Sequence, residues 1–207
     1  MIIQLRWPLF LILLAALINP VKAVEDPQGL VQRTTDRVIA LLKEQQQTLK
    51  EQSNQIYSVI EKQVLPHFDF ERMAAWVLGP HWRTITPTQQ QRFVAEFRNL
   101  LVRTYGVALL EYTDYAVNYL PTRGNPEQGE ATVRTQVRRS GGQPHNIDYT
   151  LALKDGGWKV YDVVIDGASL VTTYRSSFGT EVRNSGIDSL IAQLASRNQQ
   201  SRDGTKP

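Results

Sequence analysis

The apolar residues of this chain change their spacing at Tyr115, and this change restricts the possible folds more than any other feature of the sequence. Before Tyr115 they recur every three or four residues, as in an α-helix, whereas after it they alternate with polar residues, as in a β-strand. Helical spacing returns after Ser169. Several helices, then consecutive strands, then two helices are typical of an α+β domain in which helices cover an antiparallel sheet.

The first helical region begins near Gln28 and has a predicted break at residues 53–54. A short helix is predicted after Asp69, whose carboxylate can accept hydrogen bonds from the first helical amides. We expect three residues on the buried side of this helix: Met73, Trp76 and Val77. The sequence Thr-Pro-Thr-Gln at residues 86–89 has the spacing of a capping box, and it predicts a helix over residues 87–111.

The region with alternating apolar residues predicts an antiparallel meander of about four strands. Turn sequences at residues 141–144 and 154–157 separate three of these strands, and a loop is expected over residues 121–129. Strict alternation on the last strand places Val160 and Val164 on one face. The same alternation places Tyr161, Val163 and Ile165 on the other face. Because both faces are apolar, both should be covered.

Residues 1–23 have the composition of a secretory signal peptide. Arg6 precedes an apolar run over residues 8–18, and the small residue Ala23 ends the segment. The run of about 11 residues is shorter than the ~20 that cross a bilayer core. We therefore expect an exported protein with a cleaved segment at 1–23, a domain at 24–197 and a disordered tail at 198–207.

Removal of the signal peptide leaves an almost neutral chain. Two of the 23 Lys and Arg residues lie in residues 1–23, but none of the 20 Asp and Glu residues do. No basic run indicates nucleic-acid binding. The sequence contains no cysteine, so the core rather than disulfides must stabilise the exported domain, and no lipid-modified cysteine can anchor it.

Ser169 raises the question of enzymatic function, because it lies at a predicted turn from a strand into a helix. His145, oriented by Asp148 or Asp166, could activate it as a nucleophile, but the G-x-S-x-G pattern is absent. Helix capping is the favoured role. A carboxylate facing an apolar cavity, as in some isomerases, is a second possibility. Asp148, however, alternates with apolar neighbours and is expected to face away from such a cavity.

The sequence does not predict a metal site. Its three histidines are at positions 67, 81 and 145, in separate segments without metal-ligand spacing. In the absence of cysteine, a zinc site would need histidines and carboxylates to converge from distant segments.

Three segments of the sequence resemble the MlaC family. They are VLPHFDFERMAAWVLGPHW at 64–82, FVAEFRNLLVRTYGVAL at 93–109 and WKVYDVVIDGASLVTTYRSSFGTEVRNSGIDSLIAQL at 158–194. Members of this family, also called toluene-tolerance or Tol-type ABC transporter auxiliary proteins, are periplasmic phospholipid carriers of Gram-negative bacteria. The resemblance implies an NTF2-like α+β fold, with a twisted antiparallel (mixed) sheet of about four strands covered by helices and enclosing an apolar pocket.

The resemblance also implies a location, a cargo and partners. The protein is expected in the periplasm, without enzymatic activity and with no cofactor other than bound phospholipid as cargo. It would pass lipid between an outer-membrane lipoprotein–porin complex and an inner-membrane ABC transporter containing an MCE-domain protein. This transport would maintain outer-membrane lipid asymmetry and solvent tolerance. A monomer without nucleic-acid partners is expected, and an NTF2-like enzyme acting on an apolar substrate is the alternative.

A set of apolar residues is predicted to contact the lipid, with ordinary core packing as the alternative for each. The family segment RTYG places Tyr105 near the pocket. The full set is Val77, Phe93, Phe97, Leu101, Tyr105, Val133, Val137, Ile147, Tyr149, Leu151, Val163, Ile165, Leu170, Val171, Phe178 and Leu190. Three arginines could meet a phosphate or an acidic partner, although solvated surface is the favoured interpretation: Arg138, Arg139 and Arg175.

Overall fold

Helices precede and follow a meander of strands, in the order that the apolar spacing predicts. A computed structural model describes residues 25–52, 54–139 and 141–202. Within these residues, the helices before the sheet are α1 Pro27–Glu44, α2 Gln46–Glu51, α3 Gln55–Gln63, α4 Phe70–Leu78 and α5 Pro87–Gly106. The helices after the sheet are α6 Leu170–Ser185 and α7 Ile187–Arg202. The predicted signal peptide at residues 1–23 lies outside the described residues.

The predicted helix caps are confirmed. The Asp69 carboxylate accepts a hydrogen bond from the Arg72 amide at 3.0 Å and so caps α4. At the start of α5, the Gln89 amide donates to Thr86 Oγ1 at 3.2 Å, and the Thr86 amide donates to Gln89 Oε1 at 3.0 Å. This reciprocal pair is a capping box. The end of α5 differs from the prediction, because α5 stops at Gly106 and a 3₁₀ segment continues over Val107–Asp114.

The described strands form one antiparallel sheet in chain order. They are β1 Tyr115–Asn125, β2 Glu130–Arg139, β3 His145–Lys154, β4 Gly157–Ile165 and β5 Ala168–Ser169. The two-residue β5 makes five strands where about four were predicted. The predicted loop at 121–129 is wrong over its first half, because β1 continues to Asn125. Pro121 is tolerated there since β1 is an edge strand, and the pairing register shifts between Leu120 and Arg123.

A β-bulge on β4 changes which residues share a face. Thr150 pairs with Asp162 and Leu151 pairs with Val160, so Tyr161 is an extra residue on β4. Val160 therefore lies on the same face as Val163 and Ile165, while Tyr161 packs on the opposite face against the helical core. The prediction that Val160 and Tyr161 follow strict alternation is wrong, because a bulge interrupts the period of two.

The helices cover both faces of the sheet. Helices α4 to α7 share one buried cluster with Ala152 and Tyr161, whereas α1 packs Leu30 and Val31 against the opposite sheet face. Trp76 was predicted on the buried side of α4, but 48% of its surface is exposed. The buried stripe of α4 instead consists of Met73, Ala74, Val77 and Leu78.

Helix α7 extends further than the sequence predicts. Residues 198–202 were assigned to a disordered tail, but they are helical. Asn198 is buried, and its side-chain amide donates to the Glu96 carbonyl oxygen at 3.0 Å and to Glu96 Oε2 at 2.6 Å. The rest of the predicted tail, 203–207, lies outside the described residues. Of the helices described, none is both long and apolar enough to cross a membrane.

Candidate functional site

An apolar cavity of about 300 Å³ lies between the sheet, helix α1 and the end of helix α5. This volume is at the lower end of the range of about 300–1,000 Å³ that is usual for small-molecule sites. Among the described residues that line it there is no Asp, Glu, Lys or Arg. Such a wall mainly offers contacts to apolar groups.

Helix α1 forms one wall of the cavity. Its lining residues recur at helical spacing and form one continuous stripe along the helix. They are Leu30, Val31, Thr34, Thr35, Val38, Ile39 and Leu42.

The opposite wall is the sheet face that α1 covers. Residues from four strands contribute to it, two apart along a strand wherever the pairing is regular. They are Tyr115, Val117, Val137, Ile147, Tyr149, Val160, Val163 and Ile165. The bulge at Tyr161 adds Val160 to this wall.

The C-terminal turns of α5 form the third wall. Gly106 is buried there, and a Cβ atom on this residue would lie 2.8 Å from Ile60 Cδ1, so the glycine permits the close approach of α3. Tyr105 also lines the cavity. Burial and the neighbouring Tyr174 raise the pKa of Tyr105 to about 12, so its hydroxyl is neutral at physiological pH. Both tyrosines pack against the same buried cluster, which connects this wall to α6.

The connection between α3 and α4 lines one end of the cavity. A 3₁₀ turn at Leu65–His67 lies in this connection. The Asp69 amide donates to the Val160 carbonyl oxygen at 2.9 Å and holds the connection against β4. The residues of this connection and of the start of α4 that line the cavity are Val64, Leu65, His67, Phe68 and Phe70.

Half of the residues predicted to contact lipid line the cavity. These are Leu101, Tyr105, Val137, Ile147, Tyr149, Val163, Ile165 and Leu170. The others do not line it and are buried in the packed core: Val77, Phe93, Phe97, Val133, Leu151, Val171, Phe178 and Leu190.

Aromatic packing explains why the phenylalanines predicted to contact lipid do not line the cavity. Phe178 of α6 makes edge-to-face contacts with Phe93 and Phe97 of α5, with ring centroids 6.0 Å and 6.1 Å apart. These rings fill the space between the two helices. The prediction missed the α1 stripe, although its helical spacing is visible in the sequence, because spacing does not indicate which layer a helix faces.

Ser169 is a helix cap, as predicted. Its Oγ donates to Asp162 Oδ2 at 2.6 Å and accepts a hydrogen bond from the Thr172 amide at 3.0 Å. The structure does not pair it with His145, whose Nδ1 lies 2.8 Å from Asp166 Oδ2. Ser169 therefore satisfies the start of α6.

Asp148 faces away from the cavity, as its position on the strand predicts. Its neighbours Ile147 and Tyr149 line the cavity, while its carboxylate lies 3.8 Å from Arg134 Nε. In the parts of the chain that the structure describes, no group of three His, Asp or Glu side chains could hold a metal ion.

Three arginines were considered for contact with a phosphate or an acidic partner, with solvated surface as the favoured interpretation, and all three lie outside the cavity lining. Arg138 and Arg139 are exposed on β2, opposite the start of β1. The guanidinium of Arg175 packs beside Gly79, where a Cβ atom would lie 3.1 Å from Arg175 Nη2. Gly79 has a φ of +55°, which also favours glycine.

Comparison with known proteins gives the family. Residues 32–196 match the family model described as MlaC protein. The chain belongs to the MlaC family. Among curated MlaC-like relatives, it is 29% identical to toluene tolerance protein ttg2D of Pseudomonas putida, over 86% of this chain and 83% of the relative. It is 24% identical to the intermembrane phospholipid transport system binding protein MlaC of Haemophilus influenzae, over 83% of this chain and 82% of the relative.

A solved structure has a similar fold. It is the phospholipid-binding protein of Ralstonia solanacearum in complex with a phospholipid, with a TM-score of 0.79 and 31% sequence identity. The similarity covers 86% of this chain and 99% of the other. The resemblance to the MlaC family noted in the sequence is therefore confirmed.

Proposed function

We propose that this MlaC-family protein is a periplasmic phospholipid carrier that encloses the acyl chains of its cargo in the cavity. The observation that carries the proposal is the apolar lining of a cavity of about 300 Å³, in which the described lining residues include no Asp, Glu, Lys or Arg. The likeness to a protein solved with a bound phospholipid supports it.

The energetics of transfer favour a carrier over free diffusion. Burial of a methylene group is worth ~0.8 kcal/mol, so two acyl chains with roughly 30 methylenes represent ~24 kcal/mol. A lipid with such tails does not cross water unless they are shielded. The same free energy opposes release into water, so a membrane partner must open the cavity or receive the lipid directly.

The walls of the cavity supply the proposed lipid contacts. These walls comprise the stripe on α1 and the eight predicted residues that line the cavity. The eight are Leu101, Tyr105, Val137, Ile147, Tyr149, Val163, Ile165 and Leu170. The predicted residues in the core, such as Phe97, support the walls without contacting lipid. A sheet covered by helices around this cavity also supports the finer proposal of an NTF2-like fold.

The proposed location and partners follow from the family. Cleavage after residue 23 would release the domain into the periplasm, where we propose that it acts as a monomer. There it would exchange lipid with an inner-membrane ABC transporter containing an MCE-domain protein and with an outer-membrane lipoprotein–porin complex. The name of the Haemophilus relative, an intermembrane transport system binding protein, supports this role. Apolar walls are sufficient for it, and no catalytic step is required.

A bulky side chain in the cavity tests the proposal. Ile39 on α1 lines the cavity, whereas its neighbour Ala40 is exposed to solvent. We expect the Ile39→Trp substitution to lower the fraction of protein that carries phospholipid, because the indole takes up space needed by the tails. The Ala40→Trp variant provides a control on the same helix.

Native mass spectrometry of protein purified from a Gram-negative periplasm measures the lipid-bound fraction. Thermal unfolding of both variants identifies any loss that is due to misfolding. Absence of phospholipid from the wild-type protein would contradict the proposed function. Equal occupancy in both variants would place the lipid outside this cavity.

A further inference from the structure

His67 differs chemically from every other residue that lines the cavity. Among the described lining residues it provides the only side chain that contains nitrogen, and the only one that can take a positive charge. The remaining lining residues are aliphatic or aromatic, apart from two threonine and three tyrosine hydroxyls. A single imidazole therefore gives an otherwise uncharged cavity one chemically distinct end.

Two cations lie near this imidazole. Lys159 of β4 donates from Nζ to the carbonyl oxygen of Pro66 at 2.6 Å, which places its ammonium group at the residue preceding His67. Burial in the cavity wall, together with the positive charges of Lys159 and Arg33 of α1, lowers the pKa of His67. Arg33 also forms an ion pair with Glu25, which supplies the nearby negative charge.

The His67 ring has unused hydrogen-bonding capacity. Within the described residues, neither of its nitrogens makes a hydrogen bond to the protein, whereas His145 is engaged by Asp166. His67 is only partly buried, so part of its side chain is accessible to solvent. A polar group could reach this end while apolar groups remain covered.

We propose that the cavity binds its lipid in one orientation, with the anionic phosphodiester at the end where His67 and Lys159 lie. This inference rests on the proposed phospholipid cargo and adds the position of its head group. The acyl chains would extend from this end between α1 and the sheet. The phosphodiester is common to phospholipids, so the site would recognise the phosphate without requiring a particular alcohol.

The three histidines allow a direct test by NMR titration. The pKa of each imidazole would be measured in protein loaded with phosphatidylglycerol and in protein loaded with diacylglycerol of the same acyl chains. We expect the pKa of His67 to be higher with phosphatidylglycerol, because a nearby anion stabilises the imidazolium. His81, outside the cavity lining, is the internal control and should give the same pKa with both lipids.

A change in the pKa of His145, the remaining histidine, would indicate the opposite orientation of the lipid. His145 begins β3, and Ile147 of that strand lines the cavity. A phosphatidylglycerol-dependent rise at His145 in place of His67 would overturn the proposal. Inorganic phosphate alone is a further arm of the titration. If it raised the pKa of His67 to the same extent, the site would bind free anions and would not orient a lipid.

A substitution tests the same inference by affinity. A charged hydrogen bond is worth about 1.5–3 kcal/mol, so the His67→Leu variant should lose about tenfold or more of its preference for phosphatidylglycerol over diacylglycerol. Competition between the two lipids, read by native mass spectrometry, gives this ratio. The His81→Leu variant is the matched control and should keep the wild-type ratio.

The outcomes separate this inference from the proposed function. If neither lipid binds, the phospholipid-carrier proposal fails. If both lipids bind and the preference and the His67 pKa are unchanged, the carrier proposal stands and the orientation is wrong. Should the His67→Leu variant fail to fold, the titration of the wild-type protein still decides the question.

Discussion

Replacement of Ser169 by alanine separates structural capping from catalysis. In the structure Ser169 Oγ accepts a hydrogen bond from the Thr172 amide and donates one to Asp162 Oδ2. A nucleophile would be required for function but not for stability. A cap is required for stability, while lipid binding should survive its removal.

The expected loss of stability follows from these two bonds. Removal of an N-cap side chain costs ~1 kcal/mol, and loss of a hydrogen bond to a carboxylate costs about 1.5–3 kcal/mol. Asp162 keeps the amides of Val163 and Val171 as donors, so the second loss is only partial. We expect a total of about 2 kcal/mol, which lowers the Tm of a domain of this size by about 4–8 °C.

Urea unfolding and native mass spectrometry form the assay. Ser177 is a matched control on the same helix, because it is exposed and its Oγ donates only to the Tyr174 carbonyl oxygen at 3.2 Å. The Ser177→Ala variant should change stability by less than about 0.5 kcal/mol. Both variants should retain bound phospholipid. If Ser169→Ala left stability unchanged but abolished function in a membrane-barrier assay, the capping interpretation would be refuted.

Two further predictions concern contacts between distant parts of the chain. The Asn198→Ala substitution removes the hydrogen bonds that join α7 to Glu96. We expect the free energy of unfolding, measured in urea, to fall by about 1–3 kcal/mol. An unchanged urea midpoint would contradict this prediction. Burial acts to raise the pKa of Glu130, but hydrogen bonds from Tyr161 and Arg72 outweigh burial and hold it below the ordinary value of 4.5. Its stabilising contribution is therefore present above that value and is lost as the pH falls through the folded-state pKa. Urea midpoints between about pH 6 and pH 3 should fall further in the wild type than in Glu130→Gln, and parallel curves would exclude this role.

Local signals in the sequence predicted the helix starts and most of the sheet. A cap depends on residues within one turn of each other, as with Thr86 and Gln89, so its chemistry is visible without tertiary structure. The same holds for Ser169 and for Asp69. The turns at 141–144 and 154–157 likewise marked where the meander reverses direction.

The errors arise where distant segments determine the local structure. The bulge at Tyr161 depends on pairing with β3, and it moves Val160 onto the cavity face. Trp76 was predicted to be buried, but at the surface it packs against the ring of Tyr161, with centroids 5.4 Å apart. Helix α7 continues past residue 197, where the side-chain amide of Asn198 donates a hydrogen bond to the Glu96 carbonyl oxygen of α5. None of these contacts is encoded by the spacing of neighbouring residues.

The sequence by itself determined which faces of the helices and strands are removed from water, as well as the resemblance that led to the MlaC family. Only the tertiary structure decided which of those faces meet and which remain apart. Phe93 and Phe97 meet Phe178 and fill the space between α5 and α6. The apolar stripe of α1 packs against the sheet at Leu30 and Val31, but together with Val137 and Val163 it also lines a cavity. A packed core and a lipid-binding wall require the same apolar residues, because both exclude water, and only the distance between the layers distinguishes them.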